Sequence, residues 1–245
     1  MFPLKDDNPT EIFPIFTVLV IGACVAVWLL IQGAGGSEEA LNRSVCTLGA
    51  IPVEITRGAS GAGPVCSFGG LRWGAIFTSM FLHGSWMHLI GNMWFLWIFG
   101  NNVEDSMGHL RFLAFYLITG LAAAGAHVVI DPSSPIPMVG ASGAISGIMG
   151  AYMLLYPQAR VTTVIVFVFI RVMQVPAWVM LGYWFVIQAL TGVGGQTGGV
   201  AVWAHVGGFV AGAALIKLFV RGELVEAKRA HVQLPRSRIR HGGWW

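Results

Sequence analysis

Gly140-Ala-Ser-Gly-Ala-Ile-Ser-Gly-Ile-Met-Gly-Ala-Tyr-Met-Leu-Leu155 is the stretch whose reading decides the fold. It carries no charge, and its run from Ala141 to Leu155 is apolar apart from two serines. Gly143 and Gly147 stand four apart and Gly150 follows. Small residues at that spacing let helix backbones approach closely. The stretch therefore reads as a short helix packed inside a bundle, with the hydroxyl of Ser142 at its start.

The same character extends outward in both directions. Hydrophobic residues make up 56% of the chain and charged residues only 10%, against about 25% charged in a soluble domain. Mean hydropathy is +0.72. Such a surface cannot face water everywhere, so the expected class is an all-α polytopic membrane protein. A span needs about 20 residues for roughly 30 Å of hydrocarbon. On that measure six spans are drawn: Ile12–Ile31, Ile76–Phe99, Leu110–Ile130, the shorter Ala141–Leu155, Val175–Leu190 and Val202–Val220. The apolar run at 161–174 is interrupted by Arg171, too short to cross, and is expected to lie on the membrane surface over Thr162–Gln174. A long polar loop joins the first two spans. The chain reads as one membrane domain over 1–245, with 1–11 and the basic tail 221–245 on the cytoplasmic side and the tail flexible. Lys5, Asp6 and Asp7, and the want of a small-x-small site after the first apolar run, argue against a cleaved leader.

Basic residues orient the bundle. With both ends inside, eleven of the fourteen Lys and Arg fall on the inner side, and only Arg43, Arg57 and Arg72 fall outside. This is the positive-inside bias. It also accounts for the pI near 9.0 without nucleic acid. Cys46 and Cys66 share the outer first loop, as a disulfide or as two free thiols.

Polar groups inside spans are costly and mark function. His83, His88 and Asn92 lie early in the second span, Ser142 opens the fourth, and His205 lies early in the sixth. These three spans all begin at the outer face, so the groups meet at one depth. Gly208 and Gly212 continue the His205 face, a second small-residue seam that would bring His205 to Ser142. A serine hydroxyl needs an adjacent base to act as nucleophile, and His205 could serve. Acyl transfer also needs oxyanion donors, available from Asn92, His88 and the free N–H groups of a helix start. No carboxylate lies at this depth, so a Ser–His dyad is expected rather than a triad.

His83-x4-His88-x3-Asn92, Gly140-x-Ser142-Gly143 and Ala204-His205-x-x-Gly208 together resemble the rhomboid intramembrane proteases, and Glu104 with Gly108 resembles the Glu-x3-Gly pattern of that family. The resemblance implies six helices around a short fourth one, with a water-filled cavity open to the outer side. It implies an intramembrane serine endopeptidase of the plasma (inner) membrane. Ser142 would be nucleophile, His205 base, and His88 and Asn92 the oxyanion hole, with His83, Gly140, Gly143 and Gly208 structural near the site. Trp184 and Phe185 would line the substrate gate. The partners implied are transmembrane protein substrates, cut near their outer ends, and the lipid bilayer. No cofactor and no metal is implied. Where some relatives have an aromatic ring stacked on the histidine, this chain has Ser146, so something else must hold His205. The competing readings are a catalytically dead, client-binding relative, which would usually lack the serine or the histidine, and a transporter, which would place charge at mid-depth.

Overall fold

The computed structural model describes residues 1–57, 66, 72–166, 169–195 and 200–230. A strand, β1 (Phe2–Asp6), precedes helices α1 (Ile15–Leu30), α2 (Glu38–Leu48), α3 (Pro52–Arg57) and α4 (Gly74–Thr78). Next come α5 (Trp86–Phe95), α6 (Asn101–Met107), α7 (His109–Ile130) and α8 (Ser142–Leu155). Strands β2 (Arg160–Val166) and β3 (Ile170–Pro176) lead into α9 (Ala177–Val193), α10 (Val202–Phe219) and α11 (Gly222–Arg229). Two helices, α7 and α10, are long and apolar enough to cross a membrane. The apolar helices α1, α8 and α9 are shorter.

The centre of the bundle is α8, and glycine sets how close its neighbours come. A Cβ on Gly208 would stand 2.1 Å from the Gly143 carbonyl oxygen, and one on Gly212 would stand 1.9 Å from that of Gly147. Across the same seam, a Cβ on Gly150 would meet the Phe209 carbonyl at 2.2 Å. Helices α8 and α10 therefore touch backbone to backbone, as the two seams predict. On the other side α8 meets α7, where a Cβ on Gly143 would lie 2.7 Å from Ala123 Cβ. Toward its C-terminal end α8 turns from glycine to aromatics. Tyr152 is fully buried and packs edge-on against Phe99 and Tyr156.

Three expectations need correction. The fold is not all-α: β1, β2 and β3 form an antiparallel sheet in that order. Phe2 pairs with Val164 and Asp6 with Val161, while Arg160 to Val166 pair with Pro176 to Ile170. The run Val161-Thr-Thr-Val-Ile-Val166 is β-branched throughout, and such residues suit a pleated surface better than a helix. The described residues of the run at 161–174 thus lie in two paired antiparallel strands. Secondly, the second span is broken. After α4 and the 3-10 turn Ser79–Phe81, Leu82 is extended, and a new helix starts behind Ser85, whose Oγ accepts the His88 N–H at 3.1 Å. That helix runs on through a π turn at Leu96–Gly100 into α6. Thirdly, the long first loop is partly helical. Ser37 caps α2 by accepting the Ala40 N–H at 3.3 Å, with Glu38 and Glu39 in the first turn, where the helix dipole favours negative charge. Cys46, within α2, forms a disulfide with Cys66.

The end of the bundle away from Ser142 is tied by charge. Glu104 accepts the N–H groups of Phe16 and Thr17 at 3.0 and 2.8 Å, capping α1 from another helix, and contacts His109 at 2.6 Å. Asp105 accepts from Glu11 and Ile12 and pairs with Lys228 at 2.8 Å. Lys228 belongs to α11, so the tail from 221 is ordered at least to Arg229, and the rest of the expected tail, 231–245, lies outside the described residues.

Candidate active site

Three helices deliver the polar groups. Ser142 is the first residue of α8, and the preceding turn is pinned: Gly140 N–H donates to Ser79 O at 2.9 Å, and Met138 and Ala50 exchange backbone hydrogen bonds. Gly140 sits at φ +122°, a conformation side chains rarely adopt, and a Cβ there would stand 2.7 Å from His88 Nε2. The chain thus brings a bare backbone against the His88 ring immediately before the serine. His205 lies in the first turn of α10. Its Nε2 is 2.8 Å from Ser142 Oγ.

The other expected residues gather around this pair. His88 and Asn92 lie one turn apart on α5, and Asn92 Nδ2 donates to the His88 carbonyl at 2.9 Å. The Gly84 N–H donates to His88 Nδ1 at 3.2 Å. That nitrogen is then the unprotonated one, so Nε2 carries the hydrogen and faces the Gly140–Ser142 side as a donor. His83 lies in the break before α5, fully buried, with its ring edge-on to His88 at 5.2 Å. Its backbone N–H and carbonyl are both held by the side chain of Gln32, at 2.8 and 2.7 Å. This makes His83 a packing partner of His88, set just outside the helix in which it was expected.

Gly84, Ser85, His88, Asn92, Ser142, Trp184, Gln188 and His205 share the lining of one cavity of about 690 Å³. Ser142 and His205 keep partial exposure to it. Of the two expected gate residues, Trp184 lines the cavity, with its ring 5.9 Å from that of His205 and 6.1 Å from that of Phe209. Phe185 instead packs on Phe209 at 4.8 Å. Ser146 turns back on its own helix and donates to the Ser142 carbonyl at 2.6 Å. Among the described residues no cluster of His, Cys, Asp and Glu is arranged to hold a metal ion.

One polar neighbour of the pair went unread in the sequence. Gln188 Oε1 lies 2.8 Å from His205 Nδ1. A single glutamine in an apolar helix has no partner at recognisable spacing. The only signal was its place one turn after Trp184.

A family model described as the rhomboid domain matches residues 71–222, which include α4 to α10 and every polar group of the cavity. The chain belongs to the rhomboid family. Among relatives, it is 31% identical over 209 residues to Rhomboid protease GluP of Bacillus subtilis, covering 82% of this chain and 35% of that protein. It is 30% identical to Rhomboid protein 1, mitochondrial, of Saccharomyces cerevisiae over 56% of this chain and 39% of that one. It is 37% identical to Rhomboid-like protein 11, chloroplastic, of Arabidopsis thaliana over 34% of this chain and 29% of that one. The chain therefore spans only about a third of the length of these rhomboid relatives.

Proposed function

We propose that this chain is an intramembrane serine endopeptidase that cuts transmembrane segments of other proteins through a Ser142–His205 dyad. The observation that carries the reading is the 2.8 Å contact between His205 Nε2 and Ser142 Oγ inside a cavity cut into an apolar bundle. Six helical segments cross the bilayer: α1, the broken run from α4 to α6, α7, α8, α9 and α10. Both termini face the cytoplasm of a plasma (inner) membrane, and the cavity opens on the opposite side. At 14 residues, α8 is about 21 Å long, too short for the hydrocarbon thickness. Its start therefore lies below the outer surface, where water reaches the serine through the cavity.

The chemistry proceeds in two steps. His205 Nε2 takes the Oγ proton as Oγ bonds the substrate carbonyl carbon, and the carbonyl oxygen becomes an oxyanion. His88 Nε2–H, the second Asn92 Nδ2 hydrogen and the Ser142 N–H supply donors for that charge. Nε2–H then protonates the leaving amine, the C–N bond breaks, and an acyl-enzyme remains. Water, deprotonated by His205, releases the acid and restores the hydroxyl. Trp184 and Phe185 form the lateral gate, a reading supported by the approach of both rings to Phe209, where α9 meets α10.

Labelling of the detergent-solubilised protein by a fluorophosphonate probe, read by intact mass, tests this. One adduct is expected on wild type and none on Ser142→Ala or His205→Ala. An unlabelled but folded wild type, or a labelled Ser142→Ala, overturns the assignment.

A further inference from the structure

We propose that Gln188 is a positioning residue for the base: its side-chain carbonyl accepts the Nδ1–H of His205 and so holds Nε2 unprotonated toward Ser142. This rests on the protease reading and adds a third participant to it. Two contacts set the imidazole, at 2.8 Å on each nitrogen: Gln188 Oε1 on Nδ1 and Ser142 Oγ on Nε2. A base must present a lone pair to the hydroxyl, so Nδ1 has to carry the ring hydrogen. With its oxygen toward the ring, Gln188 stabilises that tautomer. Turned the other way, the amide NH2 would require a lone pair on Nδ1 and place the hydrogen on Nε2, which cannot then take a proton from Ser142.

The position of Gln188 supports the role. Trp184 and Gln188 are four residues apart and share one face of α9. Trp184 sets its ring beside the imidazole, tilted by 37°, while Gln188 holds the nitrogen behind it. Together they occupy the part that an aromatic at position 146 would otherwise play, since Ser146 is engaged with the Ser142 carbonyl. A glutamine differs from the aspartate of a triad in a way that suits this location. It orients the ring without bringing a second buried charge into an apolar bundle, where an unpaired charge is costly. The amide oxygen is too weak a base to take the proton from Nδ1. It therefore bonds to the ring both before and after Nε2 is protonated, and no proton moves to it.

The test compares wild type with Gln188→Met, which keeps length but removes the acceptor, and Gln188→Glu, which restores one. The rate of fluorophosphonate labelling is measured over a range of probe concentrations, which separates the limiting rate from the half-saturating concentration, beside thermal unfolding of each protein. Gln188→Met is expected to lower the limiting rate about 10- to 100-fold, the effect of one hydrogen bond to a charge-bearing ring. Its half-saturating concentration should stay within about twofold, the pattern of an interaction that matters after binding. Gln188→Glu should recover most of the loss. A folded Gln188→Met labelled at the wild-type limiting rate overturns the inference, as does a Gln188→Glu no faster than Gln188→Met. A wild type that takes up no probe overturns the protease reading itself.

Discussion

The residues around the Ser142–His205 pair depend on very small displacements. Asn92 has one amide hydrogen committed to the His88 carbonyl and one left for the cavity. Asn92→Ala should lower turnover roughly 10- to 1000-fold, the usual cost of one oxyanion donor, in an assay on a transmembrane peptide in micelles. Gly140 is a second sensitive point. Its φ of +122° and the 2.7 Å separation from His88 Nε2 leave no room for a methyl group. Gly140→Ala should displace the His88 ring and depress turnover at least as far as Asn92→Ala, with a smaller change in thermal stability. Wild-type turnover in that variant would mean that the ring is free to move aside. At this scale the sequence was readable where residue types repeat at helical spacing: His88 with Asn92, Ser142 with its glycines, His205 with Gly208. It was silent on Gln188 and on the His88 tautomer. Both depend on how α9 and the Gly84 turn approach the rings, and nothing in residue spacing reports that.

Among the elements, the α8–α10 seam has the least tolerance. Within lipid the hydrophobic effect does not drive helices together, so close packing must do so. Gly212→Val would set a Cβ at 1.9 Å from the Gly147 carbonyl, with backbone rather than a flexible side chain in the way. The expected cost is at least about 1–3 kcal/mol, the range for overpacked cores, seen as a lower thermal midpoint in detergent. Gly22→Ala is the control, because nothing stands within 4 Å of a Cβ there. The helices α7, α8, α9 and α10 begin and end within a few residues of where hydropathy placed them. Hydropathy says nothing of secondary structure where the apolar run is too short to span. The stretch expected at the membrane surface, Thr162–Gln174, has β-branched residues that pair as strands. The second span looked continuous because Leu82 and His83 interrupt the helix without any proline, and only the Ser85 cap marks the restart.

Across the whole molecule, the end of the bundle at Tyr152 is a network joining distant parts of the chain. Asp6 accepts hydrogen bonds from Tyr152 Oη and from Asn102 Nδ2, and Lys228 bonds Asn102 Oδ1 and Asp105. Burial pushes the Asp6 carboxyl up to about 6, against the opposing pull of the Tyr152 hydrogen bond. In the unfolded chain the same group titrates near pH ~3.9. Between those values the folded protein binds the proton more tightly, so the Asp6 contribution to stability falls as pH rises from about 4 to 6 and levels off above. Relative to Asp6→Asn, wild type should lose thermal midpoint across that window. A constant difference between the two proteins from pH 4 to 7 would remove Asp6 from the account. None of this network was visible as a set of contacts in the sequence, where its members are separated by long apolar runs. Their residue types suggested only polar ends.

The sheet also bears on the timing of assembly. Phe2 to Asp6 have their strand partners at Val164 to Val161. At about 5–20 residues per second, synthesis leaves roughly ten to thirty seconds between the appearance of the first strand and that of its neighbour. Through that interval the leading segment has no sheet to join. The pairing of β1 with β2 is thus a late event in biogenesis, closed only after α1 to α8 have already been made.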